Sequence, residues 1–479
     1  MKKTMIEIKD VSGKWWGKLF GNKAFYKLVL AVAMPIFLQN FITNFVSLID
    51  NIMVGRVGTE QMSGVSIANQ LIFVFNLAIF GAVSGVGIFT SQYFGTKNYD
   101  KMKESARFMI LFSVVIFTVC MALLLLFDTQ LIQLFLHEGS VEGDIQLTLE
   151  SAKDYLHVAL WGLAPFVLSQ IVTAVMRSAN KTLYPMIAGL CGVAVNLSLN
   201  YLLIYGKMGF PVMGVKGAAL ATVISRFVEA FLLLGWAVFK KAPYFVGLLK
   251  KISVPKSSAK QYFLKSTPMF LNEVMWALGM TTLVQCYSTK GLDVVASFNI
   301  SNTLMNTFNA SLMAMGAAIG IIVGNLLGAN DIKGARSASV KLTVFSFLLC
   351  VVLGGVMAGV SPFFPEIYKT TEYIRSLATW LIVVASCALP IQSICNSCYF
   401  TIRAGGKTFV TFLFDSVFVW VISVPVAYCL SRFTNIDVVV MYIIICALDI
   451  IKSVIGLIMM KTGIWCNNMN VDSFQTAQR

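Results

Sequence analysis

The sequence predicts an all-α polytopic membrane protein of twelve transmembrane helices in two parallel six-helix repeats, and three observations carry that reading. The first is composition: of 479 residues, 57% are apolar and 12% charged, with a mean hydropathy of +0.78. A soluble globule has about 25% charged residues. The second is twelve apolar runs, at 28–54, 61–94, 108–127, 155–177, 183–205, 214–239, 266–289, 294–327, 342–361, 377–402, 409–430 and 438–461. About 20 apolar residues suffice to cross the hydrocarbon layer as a helix. The third is an internal repeat. A shift of 233 residues maps Pro35 to Pro268, Phe37 to Phe270, Gly58 to Gly291, Asn69 to Asn302, Phe75-Asn76 to Phe308-Asn309 and Gly95 to Gly328. A shift of 226 then maps Arg177 to Arg403, Lys181-Thr182 to Lys407-Thr408 and Arg226 to Lys452. Prolines, glycines and asparagines do not align this way through shared apolar composition, so the chain is a tandem repeat. Each copy has an even number of helices, so both run parallel across the membrane.

The organisation follows in order: a tail at 1–27, an N-lobe at 28–239, a basic connector at 240–265, a C-lobe at 266–461 and a tail at 462–479. The net charge of +15 sorts by side of the membrane. With both termini in the cytoplasm, 27 of the 37 Lys and Arg fall on cytoplasmic loops and tails and eight on outer ones. That bias is the positive-inside rule, so the basic charge reads as topology and contact with anionic lipid, with no nucleic-acid partner. The expected location is the cell membrane, multi-pass, both ends cytoplasmic.

Along the chain, Trp15-Trp16 reads as a headgroup-level anchor, and the missing small-residue cleavage site argues against a removed signal peptide. Gly81-x-x-x-Gly85 and Gly316, Gly320, Gly324 and Gly328 put small residues on one helix face, where a neighbouring backbone can approach. Thr96–Arg107 and Ala329–Lys341 read as equivalent cytoplasmic connections, and the acid-rich Asp128–Asp154 as an outer loop. His137 and His157 lack metal-ligand spacing and read as surface or interfacial residues. Cys395-x-x-Cys398 reads as two small packing residues, with no disulfide framework implied.

Charges inside lipid cost about 2.5–3.5 kcal/mol each on insertion scales, so each needs a reason. Arg226 with Glu229 and Asp449 with Lys452 have the spacing of intrahelical pairs. Asp50, Glu273 and Asp415 have no basic residue within a turn and are the candidate cation or proton sites. Gln39, Asn40, Asn44 and Asn51 make the first helix unusually polar. Asn196 and Asn200 share a face of the fifth helix, and with Asp50 they offer oxygen ligands suited to Na+, or equally interhelical hydrogen bonds. Trp276 near Glu273, and Trp420 beyond Asp415, supply ring faces for a flat organic cation. Enzyme signatures are missing. Gly405-Gly406-Lys407-Thr408 resembles the end of a P-loop, but Thr401 stands where its first glycine is needed. No catalytic residue, cofactor or ATPase partner is implied.

Against this background the chain resembles the bacterial branch of the multidrug and toxic-compound extrusion (MATE) family. The carriers are PIFLQNF…SLIDNIMVGRVGTEQMSGVSIANQ, NEVMWALG after Pro268, RSANKTLYPM, IRAGGKT and VNLSLNYLLIYGKMGFPVMGVKGAALAT, each where the repeat expects it. The resemblance implies a V-shaped, two-lobe fold and export of amphipathic, cationic drugs in exchange for Na+ or H+ by alternating access. It matches Asp50 and Asn196 to the N-lobe ion site, Pro35 to the bend in the first helix and Glu273 to the C-lobe site. Pro268 is the repeat counterpart of that proline. Asn200 stands where some members carry a second aspartate. Gln392 lies near an aspartate position of that branch, with Asp415 a compensating carboxylate. One chain holds both lobes, so a monomer is expected to suffice. The alternative is a lipid-linked precursor flippase, whose phosphates call for unpaired cavity arginines.

Overall fold

The computed structural model describes residues 19–55, 58–133, 145–248, 253–368 and 370–467. Among them the chain is helical throughout: α1 Lys23–Gly55, α2 Thr59–Gly95, α3 Tyr99–Leu126, α4 Asp128–Gln133, α5 Ile145–Ala159, α6 Leu163–Ser178, α7 Leu183–Tyr205 and α8 Gly214–Phe239. The second half gives α9 Lys256–Ser288, α10 Leu292–Gly328, α11 Ile332–Val360, α12 Glu372–Ala404, α13 Thr408–Phe412, α14 Val424–Phe433 and α15 Val438–Thr462. Between α13 and α14 the backbone winds as π-helix at Leu413–Val417 and Val419–Ser423.

The repeat reappears in the helix ends. α1 and α9 both have 33 residues, α2 and α10 both have 37, and each pair starts and ends 233 residues apart. Local sequence explains several boundaries. Asp331 caps α11 by accepting from Gly334 N, and Asp437 caps α15 by accepting from Val439 N at 2.9 Å. Gly206 ends α7 at a φ of 63°, which suits glycine.

Eleven helical segments among the described residues are long and apolar enough to cross a membrane. The expected twelfth, 266–289, is helical as far as Ser288 as part of α9, but Asn272, Glu273 and Gln285 lower its apolar character. On α3, Val115, Val119, Leu123 and Leu126 are exposed, an apolar face that suits lipid.

Three boundaries differ from the sequence reading. The acid-rich outer loop is partly helical: α4 begins at Asp128, and the fourth span starts at Ile145 rather than 155. Its buried face is Thr148, Ser151, Ala152, Tyr155, Leu156 and Ala159, a helical period that the charges of the opposite face obscure. The two short connections read as cytoplasmic shrink because α3 and α11 begin at Tyr99 and Ile332. The basic connector turns helical at Lys256. Trp15, Trp16 and His137 lie outside the described residues.

The chain divides into two compact units. One comprises Leu38–Thr90 with Tyr99–Ser266; the other comprises the described parts of Met1–Phe37, Ser91–Asn98 and Thr267–Arg479. The first unit packs Phe89 and Phe108 around Tyr262 at ring distances of 4.9 and 5.4 Å. Arg107 ties down the connector by donating to the Leu248 and Gly247 carbonyls at 2.8 and 3.2 Å. In the second unit Phe25, Val29, Val32 and Ile36 of α1 join Ala318, Ile322, Ala338, Leu342 and Trp465 in one core. There Gly95 and Gly328 are repeat mates. A Cβ on Gly95 would strike the Asn325 carbonyl, and one on Gly328 the Gln92 carbonyl. The backbones cross where only glycine fits. Pro35 lies inside a continuous α1, two residues before the helix passes from one unit to the other. Its counterpart Pro268 lies inside α9.

Candidate functional site

Each unit holds a polar cluster around an acidic side chain. In the first, α1 brings Asp50 against α7. Asn200 donates from Nδ2 to Asp50 Oδ1 at 2.8 Å. With its amide turned to satisfy both ends, Asn196 donates to Asp50 Oδ2 at 3.0 Å and accepts from Thr222 N and Oγ1 at 3.3 and 3.2 Å. Both carboxylate oxygens are thus held by amides one helical turn apart on α7. The Asn200 Oδ1 is buried with no hydrogen-bond donor among the described residues. Nearby, Tyr155 donates to Asn69 Oδ1 at 3.1 Å, and Tyr205 donates to the Met53 carbonyl at 3.0 Å. The second bond anchors α1 just past Asp50.

Gln39 belongs to a different group: Arg177 Nη2 donates to its Oε1 at 2.8 Å. Asn40 and Asn44 precede Asp50 by ten and six residues, which at the α-helical rise is about 15 and 9 Å along α1. They are not brought to the carboxylate. The side chain of Asn51 lies outside the described residues.

The second cluster is larger. Asp415, on the π-helical stretch, accepts from Lys452 Nζ at 2.7 Å on Oδ1 and from Asn272 Nδ2 at 3.1 Å on Oδ2. Asn272 is fixed by Ser416, whose hydroxyl donates to it at 2.8 Å, and by its own bond to Tyr399 Oη at 3.1 Å. Tyr399 also accepts from Arg403 at 3.4 Å. Arg403 lies 3.9 Å from Glu273. Gln392 lies beside Asp449. Trp420 braces the π-helical stretch by donating to the Met275 carbonyl at 2.8 Å, and Trp276 packs beside Leu283 and Val419.

Two sequence expectations are corrected here. Lys452 pairs across helices with Asp415, not with Asp449 one turn before it. The sequence offers Asp415 no basic residue within a turn, and its partner comes from another helix. Arg403, counted with the cytoplasmic loop, is buried as the partner of Glu273. Arg226 and Glu229 do pair within their helix, at 3.4 Å. His157 is half exposed and bonded to Asp128 at 2.8 Å. Cys395 and Cys398 are buried, free packing residues.

The clusters are not copies of each other. In the repeat register Asp50, Asn196 and Asn200 fall on Leu283, Ile422 and Val426. Glu273, Asp415 and Asp449 fall on Asn40, Gly189 and Val223. At these acidic positions each unit is neutral where the other carries a carboxyl group. What the repeats share is an amide–arginine scaffold: Gln39 with Arg177, and Asn272 linked through Tyr399 to Arg403. At Gly189 the Gln39 amide sits where a Cβ would point, in the place that Asp415 takes in the other copy. The sequence reading missed Thr222, Asn272, Tyr399 and the role of Arg403. The repeat register linking Gln39 and Arg177 to Asn272 and Arg403 was the signal that could have found two of them.

Comparison with known proteins places the chain. The MatE family model matches both repeats, at residues 35–202 and 268–429. A probable multidrug resistance protein NorM from Thermotoga maritima is 27% identical over 450 residues, covering 92% of this chain and 93% of the relative. A probable multidrug resistance protein YoeA from Bacillus subtilis is 21% identical, covering 85% and 87%. A crystal structure of MATE in the bent conformation shares the fold at a TM-score of 0.82 and 17% identity, covering 95% of this chain and 97% of that one. An outward-facing multidrug resistance MATE family transporter gives the same score at 91% and 95% coverage. These relatives are transporters, not enzymes. With both halves matched by the family model, the chain belongs to the MATE family of membrane transporters.

Proposed function

We propose that the protein is a secondary antiporter of the cell membrane, with both termini cytoplasmic, that exports amphipathic organic cations in exchange for Na+ or H+ by alternating access. The observation that carries this reading is the Asp50 cluster: a carboxylate inside a membrane helix with both oxygens held by amides from another helix. Placing that charge there is costly, and ion binding is a reason to keep it. The residues fit either ion. Asp50, the amide oxygens of Asn196 and Asn200 and the Thr222 hydroxyl are hard oxygen donors suited to Na+. Rotating the two amides turns them from donors toward a bare carboxylate into acceptors for a cation or a protonated carboxyl. The Asn200 oxygen, without a donor, is already free to accept.

Ion binding at Asp50 then biases the inward- and outward-open states through its different affinity for each. The multidrug names of the relatives support drug-like cargo. Four buried or half-buried basic side chains of the helices have partners: Arg177 on Gln39, Arg226 on Glu229, Arg403 on Tyr399 and Glu273, and Lys452 on Asp415. That arrangement suits organic cations better than lipid phosphates. A single chain carries both clusters, so we take the monomer as the working unit.

The test is proteoliposome transport of ethidium under an imposed Na+ gradient and then a pH gradient, for wild type, Asp50→Asn, Glu273→Gln and Asp415→Asn. Movement driven by one gradient and lost in Asp50→Asn supports the reading. Folded protein that moves no dye under either gradient overturns it.

A further inference from the structure

We infer that Asp415, Phe414 and Phe418 form a receptor for an organic ammonium group, and that Lys452 is a tethered occupant which a cationic substrate displaces. This rests on the cation-export reading above.

The geometry is that of an ammonium site. Lys452 Nζ lies 2.7 Å from Asp415 Oδ1, and it stands over the rings of Phe414 and Phe418 at 5.4 and 5.8 Å from their centroids. A carboxylate flanked by ring faces is the chemistry by which proteins hold alkylated ammonium ligands. The site is preformed from the carboxylate side. Asn272 fixes the second Asp415 oxygen at 3.1 Å, and Ser416 in turn fixes Asn272. The π-helical winding at Leu413–Val417 carries Phe414 and Asp415 together. Such windings occur often at functional sites.

Charge balance leaves room for another cation. By residue type the cluster holds three carboxyl groups, Glu273, Asp415 and Asp449, against two basic groups, Arg403 and Lys452. A substrate cation that takes Asp415 does not strand the displaced lysine, because Asp449 lies three residues earlier on α15 and carries the counter-charge. The carboxylates are the more accessible members: Asp415 and Glu273 are 16% and 15% exposed, Lys452 10%. Among the described residues the repeat register gives the site no counterpart in the other unit. Gly189 replaces Asp415 there, and Arg226 is paired with Glu229 on its own helix.

An internal occupant weakens substrate binding by the fraction of time the receptor is free. If Lys452 fills it for about nine-tenths of the time, removing the lysine tightens binding about tenfold. The experiment measures ethidium binding by fluorescence anisotropy on purified, full-length protein: wild type, Lys452→Met, Lys452→Arg and the Lys452→Met/Asp415→Asn double variant. Lys452→Met is expected to bind about tenfold tighter, Lys452→Arg like wild type, and the double variant to lose the gain. A second measurement needs no variant. Saturating ethidium should raise acylation of Lys452 by an amine-reactive ester, read by peptide mass spectrometry, because displacement breaks the 2.7 Å pair that holds the amine on Asp415. If Lys452→Met does not fold, this readout decides alone. Unchanged or weaker binding in Lys452→Met, or acylation that does not rise while wild type binds ethidium, overturns the tethered-occupant inference and leaves cation export standing. Absence of both ethidium binding and transport in wild type overturns both.

Discussion

The two buried ion pairs of the second cluster differ in length, and the difference sets a measurable inequality. Lys452–Asp415 is 2.7 Å long and Arg403–Glu273 is 3.9 Å. At an effective dielectric constant of about 20, Coulomb attraction is about 6 kcal/mol for the first and about 4 kcal/mol for the second. The four side chains lie between 8% and 16% exposed, so the desolvation costs are similar and largely cancel in the comparison. The shorter pair is also a direct charge-assisted hydrogen bond. The coupling energy of Lys452 with Asp415 should therefore exceed that of Arg403 with Glu273 by about 2 kcal/mol. The assay is a pair of double-mutant cycles, Lys452→Met with Asp415→Asn and Arg403→Met with Glu273→Gln, read by reversible unfolding in mixed micelles. Equal couplings, or a stronger Arg403–Glu273 coupling, refute the reasoning.

Three further outcomes follow from particular contacts. Gly328→Ala drives a methyl into the Gln92 carbonyl and should cost about 1–3 kcal/mol, whereas Gly355→Ala has nothing within 4 Å and should be neutral or slightly stabilising; thermal melts in detergent separate them. Asn200→Ala removes a hydrogen bond to a charged carboxylate worth about 1.5–3 kcal/mol, so half-saturation by the driving ion should shift about ten- to hundredfold; an unshifted ion titration contradicts the site. Arg107→Ala releases the Leu248 and Gly247 carbonyls and should speed limited proteolysis of the connector, while Lys103→Ala, which removes only a surface pair with Asp100, should not.

Much of the fold was legible because it is written in local pattern. Apolar length marked the spans, and the 233-residue register reappears at both ends of α1 with α9 and of α2 with α10. The start of the fourth span was hidden because α5 is amphipathic: acids on one face lower its average character while Thr148 to Ala159 pack on the other. The site was half legible. Asp50, Asn196 and Asn200 meet, since each is an unexplained polar group within a span. The second cluster was misjudged at Lys452, because Asp449 offered a partner at local spacing while Asp415, 37 residues away in sequence, holds it in space. Cross-helix pairing leaves no periodic trace. The π-helical winding around Asp415 leaves none either, since Leu413–Ser423 carries no glycine and ends before Pro425.

The most direct test of the central claim separates coupling from passage. In one set of proteoliposomes, gradient-driven accumulation of ethidium is compared with its exchange down its own gradient, for wild type and Asp50→Asn. The account predicts that Asp50→Asn loses accumulation under the driving ion gradient while ethidium still binds. An Asp50→Asn protein that accumulates ethidium as steeply as wild type would contradict the assignment of ion coupling to Asp50, Asn196 and Asn200.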